Sequence, residues 1–427
     1  MDSFKDMIKA VSNFGPRYKA PSYTTLQTKL VASSRKDVGE YVAEIKSSWA
    51  VQGCSIMSDM WTDLSQRSYI NVVAYSPKGA VFLNSFERSA DKKTGTFLRD
   101  ILVSVIDEIG AENVIQVITD NASNYGLAGV LIMDRYPHIY KTRCSAHGVQ
   151  LLVKDIYEQI PWVKKVFDDA KAIVDYMYKH TNILSLMRDF CDKELKKFSK
   201  TRFASHFLLI QSIIDAEEEI IRNDEFWKEA KEIVVFFEPL IRVLRLVDGD
   251  GSTAGYLYEA VEKTRTTWKL CCQRNPEKHS RILELFEDRW TLNMLNVVHA
   301  AACYLNPSLM YDKKFRYDNA DVRDGLLFIE EKLLEPGERA DFANQLLEYD
   351  SKNPEIFNFM SLTQMKSAHP RVWWEANGGS MPILQKVAIK ILSQPCNASS
   401  CERNWRAFDA AQTKKRNRLL PEMLETR

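Results

Sequence analysis

The segment 114–125, VIQVITDNASNY, constrains the fold of this 427-residue chain more than any other. Val114, Ile115, Val117 and Ile118 form an apolar run without clean alternation, the pattern of a strand covered on both faces. The run stops at Asp120, and Asn121, Ala122 and Ser123 offer small capping side chains for a helix that starts there. A carboxylate at the C-terminal end of a central strand, beside a helix start, sits where open α/β sheets present chemistry to solvent. A lone aspartate in that place is more often a helix cap, so other acids must join it before it means catalysis.

The flanking segments supply the rest of a sheet. Residues 1–53 are expected to form an N-terminal helical segment. Gly15, Pro16 and Pro21 interrupt it, Val38, Tyr41, Val42, Ile45 and Trp49 recur at helical spacing, and Gly53 ends it. Strands are expected at 54–61 (CSIMSDMW), 68–75 (SYINVVAY) and 80–86 (AVFLNSF). Ser76-Pro77-Lys78-Gly79 suits a type I turn and makes the last two an antiparallel hairpin. Phe97, Leu98, Ile101, Leu102, Val105 and Ile109 form a one-sided helical stripe closed by Gly110. After the 114–119 strand come a helix from Ser123, stopped at Tyr136-Pro137, and a short strand at 139–144. Three strands, a helix, a strand, a helix and a strand is the element order of a ribonuclease-H-like sheet, although other α/β folds begin in the same way.

Asp59 is the second acid. It lies inside an apolar strand between Met57 and Trp61, where a charge is costly unless paired or neutralised. In the expected topology its strand is central and neighbours the Asp120 strand. Two facing carboxylates repel one another, and a divalent cation held by hard oxygen ligands would relieve that. The alternative is that Asp59 or Asp63 bonds a nearby backbone turn.

Beyond Cys144 the pattern is almost wholly helical, with stretches expected at 162–190, 203–221, 226–247, 255–270 and 282–304, and breaks at DGDG 248–251 and NPEK 275–278. Such a block, bounded by α/β-like segments, has the look of an insertion. Near the end, 382–392 is a strongly apolar helix; Pro395 breaks it and Asn397 can cap its successor. In that successor Ala398, Cys401, Trp405 and Phe408 make a stripe suited to lie on a sheet, with Glu402 at its flank. Glu402 is equally placed for an i,i+4 pair with Arg406.

A formal net charge of +1 gives no global basic field, so any nucleic-acid contact must come from local patches. Eight scattered cysteines without a CxxC pair suggest reduced thiols in an intracellular compartment. No run approaches the roughly 18 apolar residues of a membrane span, and MDSFKDMIKAV lacks a secretory apolar core. No membrane association is expected.

Taken together, SDMWTD (58–63), VITDNASNY (117–125), RCSAHGVQLLVKD (143–155), TRFASHF (201–207) and VWWEANGG with PILQKVAIKILSQPCNASSCERNW (372–405) resemble an hAT-superfamily transposase. The similarity is to the plant-type variety, in which a transposase-like domain precedes the hAT C-terminal region. The resemblance implies a ribonuclease-H-like mixed sheet interrupted by a large all-helical insertion. On that plan residues 54–147 are the first part of the catalytic domain, and 148–370 are the insertion. Residues 371–427 would then be the end of that domain and the start of the dimerisation region. It also implies a DDE triad at Asp59, Asp120 and Glu402, holding Mg²⁺ or Mn²⁺ for cleavage and transfer of DNA strands. In-line attack on a phosphodiester gathers negative charge, which paired metal ions about 3.5–4 Å apart offset.

The family's CxxH motif falls on Cys144 and His147, near DNA; half a zinc site is disfavoured because no second pair of finger spacing exists. Arg202 and Phe203 match an Arg-aromatic position where a ring can stack on an unpaired base or pack a helix. Two basic segments, 193–202 and 414–418 (Lys414, Lys415, Arg416 and Arg418), are candidates to hold phosphates; the second also reads as a nuclear-import signal. The expected partners are DNA and a second copy of the chain, in the nucleus. Departures from the family point elsewhere. Residues 1–53 contain no cysteine or histidine, so a BED-type zinc finger is expected to be absent. The dimerisation segment is expected to be cut short, and Gln412 replaces a common histidine. Two readings therefore stand: a metal-dependent DNA strand transferase, or an inactive domesticated relative acting in DNA binding or protein interaction.

Overall fold

The computed structural model describes residues 2–63, 66–190, 194–197, 204–215, 224–249, 251–311 and 319–411. The chain divides into two compact units, residues 1–48 and 49–427. The first is helical, with helices Asp2–Phe14 and Val31–Ser47. Gly15, at φ +76°, breaks the chain where the sequence places a helix stop, and Ser22 caps the restart by accepting the N–H of Thr25.

The second unit is a mixed α/β structure, mostly helical, with one five-stranded sheet. The strands are β1 (Cys54–Thr62), β2 (Ser68–Ser76), β3 (Gly79–Glu87), β4 (Val114–Thr119) and β5 (Tyr140–Arg143), in the spatial order β3-β2-β1-β4-β5. β1, β2 and β3 pair antiparallel, while β4 and β5 run parallel to β1. Helices α1 (Gly95–Ile109) and α2 (Ser123–Arg135) connect the later strands and pack against each other. Thr94 caps α1 through the N–H of Phe97, and Gly110, at φ +87°, ends it.

Register sorts the sheet's side chains between two faces. Ile56, Ser58, Val72, Ala74, Val117 and Thr119 share one face, where the hydroxyls of Ser58 and Tyr125 on α2 meet at 2.9 Å. Met57, Asp59, Trp61, Tyr69, Asn71, Val73 and Ile118 share the other. Met57, Val73 and Ile118 there join a buried core that continues through the helices α3 (Ser145–Gln159), α4 (Asp224–Asp248) and α5 (Ala254–Arg274). That core also includes α6 (Val297–Tyr304) and α7 (Pro382–Leu392). The last helix described, α8 (Ser399–Ala411), packs against β1 and β2.

Three local expectations change. Residues 162–190 form two helices, Pro161–Lys179 and Thr181–Phe190, because His180 is extended and its Nδ1 bonds the carbonyl of Tyr176 at 2.8 Å. The 282–304 stretch divides at Asn296, whose Nδ2 donates to Lys141 O on β5 (2.8 Å) while its Oδ1 accepts the N–H of Val298. At the start of α2 neither Asn121 nor Ser123 caps. The N-cap is Ala122, and it is Asp120 Oδ1 that accepts the Ala122 N–H at 2.9 Å.

Candidate functional site

Parallel pairing of Met57 with Ile118 and Ser58 with Thr119 brings the next residues level, Asp59 within β1 and Asp120 just past the end of β4. Both are half-buried. Asp59 Oδ1 accepts the N–H of Met60 at 2.7 Å. Burial, above all, pushes its pKa well above the usual carboxylate range, and the charges of Asp120 and Glu402 push it further. Asp120 is raised by burial too, opposed by the Ala122 N–H and the positive charges of His147 and Arg143. The turn-bonding alternative belongs to Asp63 instead: it is 2% exposed, accepts the Arg67 N–H at 2.8 Å and pairs with Arg67 Nε at 2.7 Å.

A raised pKa means that ionised Asp59 destabilises the folded state. The native protein binds more protons than the unfolded chain above pH 3.8, so stability falls as pH rises toward the native pKa. Asp59→Asn is therefore expected to raise stability at pH 7 by about 0.5–2 kcal/mol, the usual size of a stabilising change. Urea denaturation of both proteins at pH 7 checks this; a less stable variant would contradict the burial argument.

Glu402 arrives from the far end of the chain by way of residues 393–399, a segment buried throughout. Ser55 of β1 donates to Gln394 Oε1 (2.7 Å), and Gln394 Nε2 donates to Gln52 O (3.2 Å). Ser145 N donates to Cys396 O (2.9 Å), and Ala398 N to Cys144 Sγ (3.4 Å). Asn397 Nδ2 donates to Val247 O and Gly249 O, and its Oδ1 accepts the Ser399 N–H (2.8 Å), so Asn397 does cap α8. This clasp joins β1, α3 and the end of α4 to the start of α8. Cys401, fully buried, faces inward, and Glu402 stands beside it, half-buried and electrostatically coupled to Asp59.

Cys144 is 3% exposed, and burial pushes its thiol up to about 12. It is thus an inert packing group of the clasp in the folded chain, placed beneath the surface rather than on it. His147, three residues on, is half-buried and is lowered by burial and by Arg289, against the opposing pull of Asp120. Gly148 next to it lies close under the Met294 side chain, which would have to shift to admit a Cβ there, and Asn121 Nδ2 would be 3.2 Å from that Cβ. Arg202, Phe203, Lys414, Lys415, Arg416 and Arg418 lie outside the described residues, as does the side chain of Phe408. The tryptophans of VWWEANGG are buried in the helical block, where Trp373 Nε1 donates to Ser361 O and Trp374 Nε1 to Leu305 O.

Sequence reasoning passed over the aromatic groups beside the acids. Trp61 stacks on Tyr69 (centroids 5.4 Å apart, 22° between planes) and on Trp405 of α8 (6.2 Å, 26°). The Arg67 guanidinium lies over Tyr69 at 5.8 Å. The alternation of Asp59 and Trp61 on one strand face was the available signal for Trp61; Trp405 was visible only as an apolar stripe position.

Among the described residues, no group of three or more His, Cys, Asp and Glu side chains is arranged to hold a metal ion. In donor chemistry the three acids suit a hard divalent cation: carboxylate oxygens, mutually repelling, with burial disfavouring their charge. No helix among the described residues is long and apolar enough to cross a membrane.

Fold and site together define an α/β protein carrying acids from opposite ends of the chain on one sheet face. Residues 21–173 match the family described as a domain of unknown function (DUF659), and residues 354–426 match the hAT family C-terminal dimerisation region. This chain is an hAT-family transposase-like protein. The dimerisation match begins before the boundary at 371 expected from the motifs. No curated protein matches the chain.

Proposed function

We propose that this chain is an hAT-like DNA transposase, or a protein derived from one, that cleaves and transfers DNA strands with Asp59, Asp120 and Glu402. What supports the reading is strand register together with the clasp: Asp59 within β1 lies level with Asp120 just past the end of β4, and α8, packed on β1 and β2, carries Glu402 near enough for its charge to act on Asp59. The strand order β3-β2-β1-β4-β5, with its first three strands antiparallel, supports a ribonuclease-H-like sheet whose helical insertion separates the second acid from the third. Mg²⁺ or Mn²⁺, when bound, would activate the attacking oxygen and offset charge on the leaving one. Asp59, Asp120 and Glu402 would hold it. His147, within electrostatic reach of Asp120, stands where a phosphate-facing imidazole would be useful, and DNA, nuclear localisation and homo-oligomerisation belong to the same reading.

The dispersed ligand set favours the second reading, a fold retained for DNA or protein interaction without catalysis. Cleavage of transposon-end DNA in Mg²⁺ or Mn²⁺ separates the two. Wild type is expected to nick the substrate and Glu402→Gln to be inactive. Equal activity in both, or none in either, removes the catalytic reading.

A further inference from the structure

Among the contacts that hold α8, which include buried Cys401 packed in the core, two do different work. The clasp around Asn397 fixes where the helix begins. Cys401 seats the first turn in the core, and the exposed side of the helix still needs a contact that fixes its rotation. The second contact is the stack of Trp405 on Trp61, one helical turn past Glu402 and two residues past Asp59. Residues three apart on a helix are surface neighbours roughly 5–6 Å apart, and residues two apart on a strand share a face roughly 7 Å apart. The ring pair therefore runs alongside the acid pair, linking the same two elements.

The stack is itself held from behind. Tyr69 lies against Trp61, Arg67 lies over Tyr69, and buried Asp63 grips both the N–H and the guanidinium of Arg67. A column anchored in the β1–β2 turn thus ends on α8. We infer that Trp405, seated on Trp61, is a positioning residue that sets the spacing between Asp59 and Glu402. This rests on the acid site proposed above; the column supplies geometry and touches no reacting atom.

The test uses the full chain with Trp405→Leu, which keeps an apolar side chain but cannot stack, and Trp405→Phe, which can. Mn²⁺ binding is measured by titration without DNA. Trp405→Leu is expected to weaken it by about 10–100-fold, the usual effect of losing a group that orients a ligand, and Trp405→Phe to restore it. In metal-free protein at pH 7, the melting temperatures of Asp59→Asn, Glu402→Gln and their double variant are expected to be non-additive, because removing one charge relieves the other. In the Trp405→Leu background the same changes are expected to add. Wild-type Mn²⁺ affinity in a cooperatively folded Trp405→Leu protein overturns the positioning role and leaves the acid site standing. If wild type binds no Mn²⁺, the metal reading fails, and the melting cycle decides alone: unchanged non-additivity in the Trp405→Leu background overturns the inference.

Discussion

Asn397→Leu is expected to lower unfolding stability by about 3 kcal/mol or more and to abolish any metal-dependent cleavage along with it. Asn397 is 3% exposed, and its amide serves partners on both sides. The nitrogen satisfies the carbonyls of Val247 and Gly249 at the end of α4, and the oxygen satisfies the Ser399 N–H at the start of α8. Leucine fills a similar volume but deprives two buried residues, Val247 at its carbonyl and Ser399 at its N–H, of this partner, each at a cost of about 1–3 kcal/mol, while the carbonyl of exposed Gly249 can turn to water. Loss of the cap alone accounts for about 1 kcal/mol of that. The functional consequence follows from position. Without the clasp, α8 loses its starting point, and Glu402 no longer stands beside Asp59. Denaturant unfolding and the cleavage assay check the two parts separately. A variant as stable as wild type would show that the clasp contributes little; a destabilised but fully active variant would show that Glu402 does not depend on it.

Acidification is expected to remove about 3 kcal/mol of stability through one histidine. His299 is 1% exposed in α6, with Val298 before it and Ala300, Ala301 and Ala302 after it all buried, and neither ring nitrogen has a hydrogen-bond partner. Burial alone lowers its pKa from 6.5 to about 4. The sign follows from proton counts. Between pH 6.5 and 4 the unfolded chain binds a proton at this residue and the native state does not. The contribution is therefore complete above pH 6.5 and is lost as pH falls toward 4. A shift of that size corresponds to about 3 kcal/mol. His299→Leu removes the titrating group, so the two proteins should differ in the slope of stability against pH across that window. Asp59 and Asp120, whose pKa values are raised, act with the opposite sign, so the comparison must be between variant and wild type rather than within one curve. Parallel curves for the two would contradict the assignment to His299.

Much of the sheet was legible from local pattern. The apolar run at 114–119, the hairpin signal at 76–79 and the stripe ending at Gly110 depend on periodicity and turn chemistry within a few residues, and each element formed close to its expected bounds. Helix boundaries inside the helical block were less legible. The break at Asn296 exists because its amide reaches a carbonyl on β5, a contact more than a hundred residues distant in sequence. The break at His180 comes from a side chain taking a backbone carbonyl within its own last turn. The caps went the same way: Asn397 serves as expected, whereas at α2 the acid itself takes the N–H that its neighbours were expected to hold.

The candidate acids divide likewise. Asp59 and Asp120 could be paired on paper because parallel neighbours in a sheet have a defined register, and a one-residue slip would turn every side chain to the other face. The sequence by itself therefore determined which strands form, that the Asp59 and Asp120 strands are neighbours, and which family the motifs resemble. It did not determine where Glu402 would stand. Only the tertiary structure decided that, through a buried run of hydrogen bonds from residues 393–399 to β1, α3 and α4, and through a tryptophan pair crossing from strand to helix. Such contacts join residues hundreds of positions apart, and no local periodicity encodes them. They exist because buried polar groups must find partners wherever the packed chain happens to bring them.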